Sequence, residues 1–242
     1  MKKYYYILFL ILIIGGILRF FWLHRSPPSL NWDETALGYN AYSLLKTGKD
    51  EYGHPFPFVL RSFDDYKPAL YAYSTIPFIK LFGLSEISVR FLSALSGISI
   101  LVLIFFIAKK FFNLKVALIS SLILAISPWS VNYSRAAYEA NFGLALLLFG
   151  ILFGLKSKQN FLFLPLSIIF LGLSAYSYHA YKLLLPPLVF FSAYQGRSHL
   201  KKPKSKITFL LTVIAVVIPL IIVLKSGEGL QRLGSTSITK VW

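Results

Sequence analysis

The chain has 242 residues, 56% of them hydrophobic and 17% aromatic, with a mean hydropathy of +0.66, which is too apolar for a soluble domain of this length. Lys and Arg number 25 against 9 Asp and Glu, and there is no cysteine. The cysteine count excludes disulfide frameworks, thiol nucleophiles and cysteine metal sites, and the +16 charge reads as a membrane topology signal, helped by anionic lipid, not as a nucleic-acid footprint.

Lys2 and Lys3 precede an apolar stretch over residues 4–23. It has no small-residue cleavage site and is read as a retained span, not a removable signal. Further apolar runs over 85–108, 114–127, 142–155, 161–176, 183–194 and 207–224 give six to seven crossings in all, the shorter ones extending into their polar flanks. The runs are long and do not alternate, so helices are favoured over a barrel. With the N-terminus inside, the inner segments hold Lys2, Lys3, Lys109, Lys110, Lys115, Lys156, Lys158, Arg197, Lys201, Lys202, Lys204 and Lys206 and no acid. Asp33, Glu34, Asp50, Glu51, Asp64, Asp65, Glu86, Glu139 and Glu228 then all lie outside or at the outer interface.

The segment 24–84 is the long outer loop. Asn31 and Glu34 have capping-box spacing; Leu37, Ala41, Leu44 and Leu45 then share one face of a helix that Gly48 stops. This amphipathic helix can lie on the membrane surface with Asp33 and Glu34 in its first turn. A negative charge is favoured there by the helix dipole, and a proton acceptor must carry one. A second interfacial helix is expected from Lys67-Pro68 to Gly83, kinked or interrupted at Pro77. Ser85 caps the next span, with Glu86 in its first turn and Arg90 one turn deeper.

Two later clusters fall at the same outer level: Trp129, Asn132, Tyr133, Arg135, Tyr138, Glu139 and Asn141, then Tyr176, Tyr178, His179, Tyr181 and Lys182. Together with the Asp33 loop they outline a site. The expected fold is an all-α polytopic membrane helical bundle, one transmembrane domain over 1–242, with interfacial juxtamembrane helices in a large first extracytoplasmic loop.

These residues carry a resemblance. The ordered series Leu30-Asn-Trp-Asp33-Glu34-Thr-Ala, Leu-Leu-Lys-Thr-Gly48, Gly53-His-Pro, Tyr-Lys67-Pro68-Ala-Leu-Tyr and Leu81-Phe-Gly-Leu-Ser-Glu86-Ile-Ser-Val-Arg90 resembles the N-terminal half of the C-type glycosyltransferases. Protein O-mannosyltransferases, the lipid A aminoarabinose transferase and lipopolysaccharide-core transferases are the nearest in pattern. Ser134-Arg135-Ala-Ala-Tyr-Glu139 and Tyr176-Ser-Tyr-His179-Ala-Tyr fit later blocks.

The resemblance implies a multi-pass enzyme of the plasma (inner) membrane. It would move a sugar, with inversion, from a polyprenyl-phosphate carrier to a hydroxyl of a protein, lipid or cell-surface glycan outside the cytoplasm. Asp33 maps to the acid near the acceptor and would be the base, with Glu34 and Glu139 as accompanying catalytic carboxylates. Lys67 is the first candidate for the donor phosphate, followed by Arg90, Arg135, Tyr178, His179 and Lys182. Arg90 and Arg135 have a structural alternative, pairing with Glu86 and Glu139 at helical spacing. His179 has one too, as a hydrogen-bonding interface residue, and most of the Tyr and Trp residues would form an aromatic belt.

No cofactor is required by this chemistry. A divalent metal is left open: aminoarabinose-type relatives have Glu before Lys-Pro-Pro, where this chain has Tyr66 and, for the second proline, Ala69, although Asp64 or Asp65 could substitute. Glu139 stands where Asp is usual. Family members continue beyond the length of this chain, so a C-terminally truncated fragment is expected. The competing classes are a transporter or flippase for a lipid-linked substrate and a noncatalytic membrane subunit. Transporters concentrate polar groups near the midplane, whereas here they cluster at one interface, which favours transfer chemistry.

Overall fold

The structure, a computed structural model, describes residues 2–62 and 65–225. In chain order it contains α1 (Lys2–Phe20), α2 (Trp32–Thr47), β1 (Val59–Ser62), β2 (Asp65–Pro68), α3 (Leu70–Phe82), α4 (Glu86–Phe111), α5 (Leu114–Ile126), α6 (Pro128–Arg135), α7 (Glu139–Lys156), α8 (Phe163–Ala175), α9 (His179–Gln195) and α10 (Pro203–Lys225). It is a nearly all-helical membrane bundle.

The helix ends lie where local chemistry puts them. Asn31 accepts the N–H of Glu34 while the Glu34 side chain accepts the N–H of Asn31, and Ser85 with Ser88 repeats the device at the start of α4. Gly48 ends α2 with φ +70°, a left-handed conformation that glycine adopts without Cβ penalty. Pro77 sits inside α3 without interrupting it.

One expectation about the outer loop is corrected. Lys67 and Pro68 do not open a helix; they belong to an antiparallel hairpin, β1 with β2, that pairs Leu60 with Lys67 and Arg61 with Tyr66, and α3 starts after it. Alternation along the strands puts Leu60 and Lys67 on one face and Arg61 and Tyr66 on the other. The polar stretch after α5 is the helix α6, bent 59° from α5 after Ser127. The apolar face of α2 also serves the protein interior: Leu37 and Ala41 pack with Tyr71, Ala72 and Val89 of α3 and α4. Gly38 permits this approach, since a Cβ there would lie 2.6 Å from Val89.

Four helices, α1, α4, α7 and α10, are long and apolar enough to cross a membrane, and the bent pair α5 with α6 makes up to five among the described residues. The expected six to seven crossings also included α8 and α9, which have 13 and 17 residues. At 1.5 Å per residue these are about 20 and 25 Å long, short of ~30 Å of hydrocarbon as straight helices.

The ends of the bundle are chemically distinct. Lys109 of α4 donates to the hydroxyl of Tyr5 in α1, and Ser157 after α7 reaches Ser192 near the end of α9, so one end gathers the lysine-rich connections. At the opposite end, the Ser177 hydroxyl donates to the carbonyl of Glu139 and the Ser93 hydroxyl to that of Tyr133. Asp33, Lys67, Glu139 and His179 all lie there.

Arg19, in the last turn of α1, fixes this end. It is fully buried and donates to Ser134, Gly15, Ala125, Leu124 and Ser130, using all five of its N–H groups to hold α1 against α5 and α6. Gly97 of α4 makes room for it: a Cβ would fall 2.2 Å from Ser134 Oγ and 2.7 Å from Arg19 Nε. Gly97→Ala is therefore expected to destabilise the detergent-solubilised protein by about 1–3 kcal/mol, read as a fall in thermal unfolding midpoint.

Candidate active site

The site is built outward from Glu34. This carboxylate is 1% exposed. Its Oε1 accepts from Arg90 Nε and from the backbone N–H of Ala137, both at 2.9 Å. Its Oε2 accepts from Arg90 Nη2 and from the N–H of Asn31, both at 3.1 Å. The remaining donors of Arg90 go to the carbonyls of Leu23, Pro27 and Ser29 at 3.0, 2.9 and 2.7 Å. Arg90 thus pairs with Glu34 and not with Glu86, and neither group has a hydrogen-bonding direction left for a ligand in this arrangement.

Arg135 follows the same logic. Its donors reach the carbonyls of Leu18, Phe21, Trp22 and Ser26 at 2.7 to 3.2 Å, closing the end of α1 and the turn after it, instead of pairing with Glu139. These two arginines and Arg19 tie α1, the loop before α2, α4 and the α6–α7 connection into one rigid frame.

Asp33 sits one residue before Glu34, but its side chain is 40% exposed. It accepts from Lys67 Nζ, whose side chain is 8% exposed on the inward face of the hairpin. Behind the hairpin, His179 Nε2 donates to the carbonyl of Tyr66 at 2.9 Å, which leaves Nδ1 to accept from Lys182 Nζ at 3.2 Å. That tautomer follows from the partners, because a carbonyl can only accept and an ammonium can only donate. Tyr178 packs edge-on to Tyr181, whose hydroxyl donates to the carbonyl of Ala140. The three sequence-distant clusters are therefore joined by direct bonds: Glu34 to Ala137, and Tyr66 to His179.

Glu139 is buried at the start of α7 and acts on the same surroundings. Burial first, and then the charges of Glu34, Tyr133, Asp33 and Glu139, push the Tyr138 phenol above its usual value. Burial, followed by Glu139 and Glu34, pushes Tyr71 well above its own. Both phenols stay neutral near pH 7 beside this concentration of negative charge. Among the described residues no three His, Cys, Asp or Glu side chains gather as a metal site. Asp64, the side chain of Asp65 and Glu228 lie outside the described residues.

An apolar cavity of about 310 Å³ opens directly after the Lys67-Pro68 strand. Ala69, Leu70 and Tyr73 line it from the α3 side, Leu173 from α8, Tyr176 from the residue after α8, and Pro219 from α10. Tyr176 lies three residues before His179, so the cavity leads toward the Lys67 and His179 end of the site. A second cavity, of about 510 Å³, lies on the other hairpin face between Arg61, Tyr66, His54 and Ile222.

Residues 66–223 match the family described as dolichyl-phosphate-mannose-protein mannosyltransferase. The chain belongs to this family. Family membership brings glycosyltransferase activity of the C type in a membrane protein. The matched segment holds Lys67, Arg90, Arg135, Glu139, Tyr178, His179 and Lys182, whereas Asp33 and Glu34 precede it. No curated protein and no solved structure matches the chain.

The reading of the sequence passed over Arg19 and the hairpin. A lone arginine near the end of an otherwise uncharged apolar span was the available signal for Arg19, because a charge there is retained only with partners. The single prediction from this geometry concerns the buried pair. Glu34→Ala and Arg90→Ala are each expected to cost about 3–5 kcal/mol, since each strands its partner charge. The double variant should recover only part of this in thermal unfolding, because the carbonyls of Leu23, Pro27 and Ser29 lose their donor as well.

Proposed function

We propose that the protein transfers a sugar, with inversion, from a polyprenyl-phosphate carrier to an acceptor hydroxyl on the extracytoplasmic face of the plasma membrane. The observation that carries the reading is the Asp33–Lys67 pair, held at the rim of a membrane bundle of a glycosyltransferase family, with an apolar cavity opening beside it. The lysine-rich end of the bundle is assigned to the cytoplasm by the positive-inside rule. Asp33 then faces outward.

In this reaction the acceptor hydroxyl gives its proton to Asp33 as its oxygen attacks the anomeric carbon. The bond from that carbon to the phosphate oxygen breaks on the opposite face, and polyprenyl phosphate leaves with the electron pair. Lys67 has three N–H donors, one of which is on Asp33, so it can hold the base and a phosphate oxygen together. Lys182, set by His179, adds a second cation for the charge that develops on the leaving group. The prenyl chain would occupy the cavity along Leu70, Tyr73, Leu173 and Pro219. Glu34, Arg90 and Arg135 carry the frame that fixes Asp33, and Glu139 adds a buried carboxylate at the start of α7. No cofactor enters these steps.

Asp33→Asn removes the proton acceptor but keeps shape and leaves the Glu34 frame untouched. In membranes supplied with polyprenyl-phosphate mannose or glucose, transfer is expected to fall by roughly 10²–10⁴-fold, far beyond the small fall in thermal midpoint expected from replacing the charged partner of Lys67 by an amide that still accepts its hydrogen bond. Wild-type turnover in this variant would remove Asp33 from the reaction.

A further inference from the structure

A row of aromatic rings lies beside the Glu34–Ala137 bond. Trp129 stacks on Tyr133 with centroids 5.1 Å apart and planes at 28°, and Tyr133 packs on Tyr138 at 4.9 Å and 36°. Trp129 is 73% exposed, so the outer end of the row presents an open ring face. The inner end adjoins the charged centre, because Tyr138 follows Ala137, whose N–H donates to Glu34. The row is carried by α6 and the turn after it. Since α6 is bent 59° from α5, the rings are turned off the direction of the preceding apolar helix.

We infer that Trp129, Tyr133 and Tyr138 form a stacking platform for a saccharide, which makes the acceptor hydroxyl one of a glycan and not of a polypeptide serine or threonine. The inference rests on the assignment of Asp33 as the base. A pyranose has flat faces of C–H groups, and the open face of Trp129, held in place by Tyr133 and Tyr138, is complementary to one of them. A serine or threonine side chain offers no such face. α6 packs against α1, α4 and α5, whereas the cavity assigned to the carrier lies between α3, α8 and α10. The aromatic row and the cavity assigned to the carrier are thus built from different helices. An interfacial aromatic belt is the competing account of these rings, and it requires neither mutual stacking nor a row that ends at the charged centre.

The test uses the full chain in nanodiscs, with methyl-capped disaccharides of mannose, glucose and galactose and a Ser/Thr-rich peptide as probes. Binding is read by saturation-transfer NMR, and transfer by release of polyprenyl phosphate from polyprenyl-phosphate mannose. At least one disaccharide is expected to bind and the peptide not. Trp129→Ala and Tyr133→Ala should each weaken that binding about tenfold, the equivalent of ~1.4 kcal/mol, while Tyr133→Phe, which keeps the ring, should not. Binding of the peptide alone, binding of no disaccharide, or unchanged affinity in both alanine variants overturns the platform. Asp33→Asn separates the two proposals: it should still bind the disaccharide without transferring to it. Retained transfer in that variant defeats the base and leaves the binding result standing on its own.

Discussion

The ion pair between Glu34 and Arg90 is the contact on which the rest of this end of the molecule depends. Both side chains are fully enclosed, and desolvating two charges is costly unless every lone pair and N–H finds a partner. Here they do, and the partners come from four separate stretches of chain: the cap of α2, the loop before it, α4 and the turn before α7. A single buried carboxylate therefore fixes the register of an extramembrane helix against two membrane helices. Asp33 inherits its position from that lock while keeping its own side chain partly in solvent.

Three buried arginines divide the remaining work of this end. Arg19 closes α1 on α5 and α6, Arg90 closes the α2 loop on α4, and Arg135 closes the end of α1 on α6. Each donates largely or wholly to fixed protein oxygens, a use that suits the planar, always charged guanidinium better than an ammonium. The lysines are used differently. Lys67 and Lys182 each touch one titratable side chain and retain further donors, so each has capacity to meet an anion. The contrast separates donors committed to the frame from donors left over, among residues that a charge count treats alike.

Much of this was legible in the sequence because it is local. The Asn31–Glu34 capping box, the Gly48 stop, the Ser85 cap and the apolar runs depend on near neighbours, and all reappear in the structure. The gathering of the Asp33, Glu139 and His179 regions at one end followed from alternating the spans. What the sequence hid depends on distant partners. Glu34 and Arg90 are 56 residues apart, so the helical spacing of Glu86 and Arg90 pointed to the wrong acid. The hairpin hid because Tyr66, Lys67 and Pro68 fit a helix start as well as a strand, and the register with Leu60 and Arg61 decides it. Pro128 marks the start of α6, but the 59° bend depends on the packing of Ser130 and Ser134 on Arg19, which lies more than a hundred residues away.

The central claim is that a donor lies between the Asp33–Lys67 pair and the α3–α8–α10 cavity. The most direct measurement is a cryo-electron microscopy structure of the full chain in nanodiscs with a polyprenyl-phosphate sugar bound. The account predicts phosphate density within hydrogen-bonding distance of Lys67 Nζ, a prenyl chain along Leu70, Tyr73 and Pro219, and the sugar ring next to the Asp33 carboxylate. Phosphate density at the lysine-rich end of the bundle, or a sugar remote from Asp33, would contradict it.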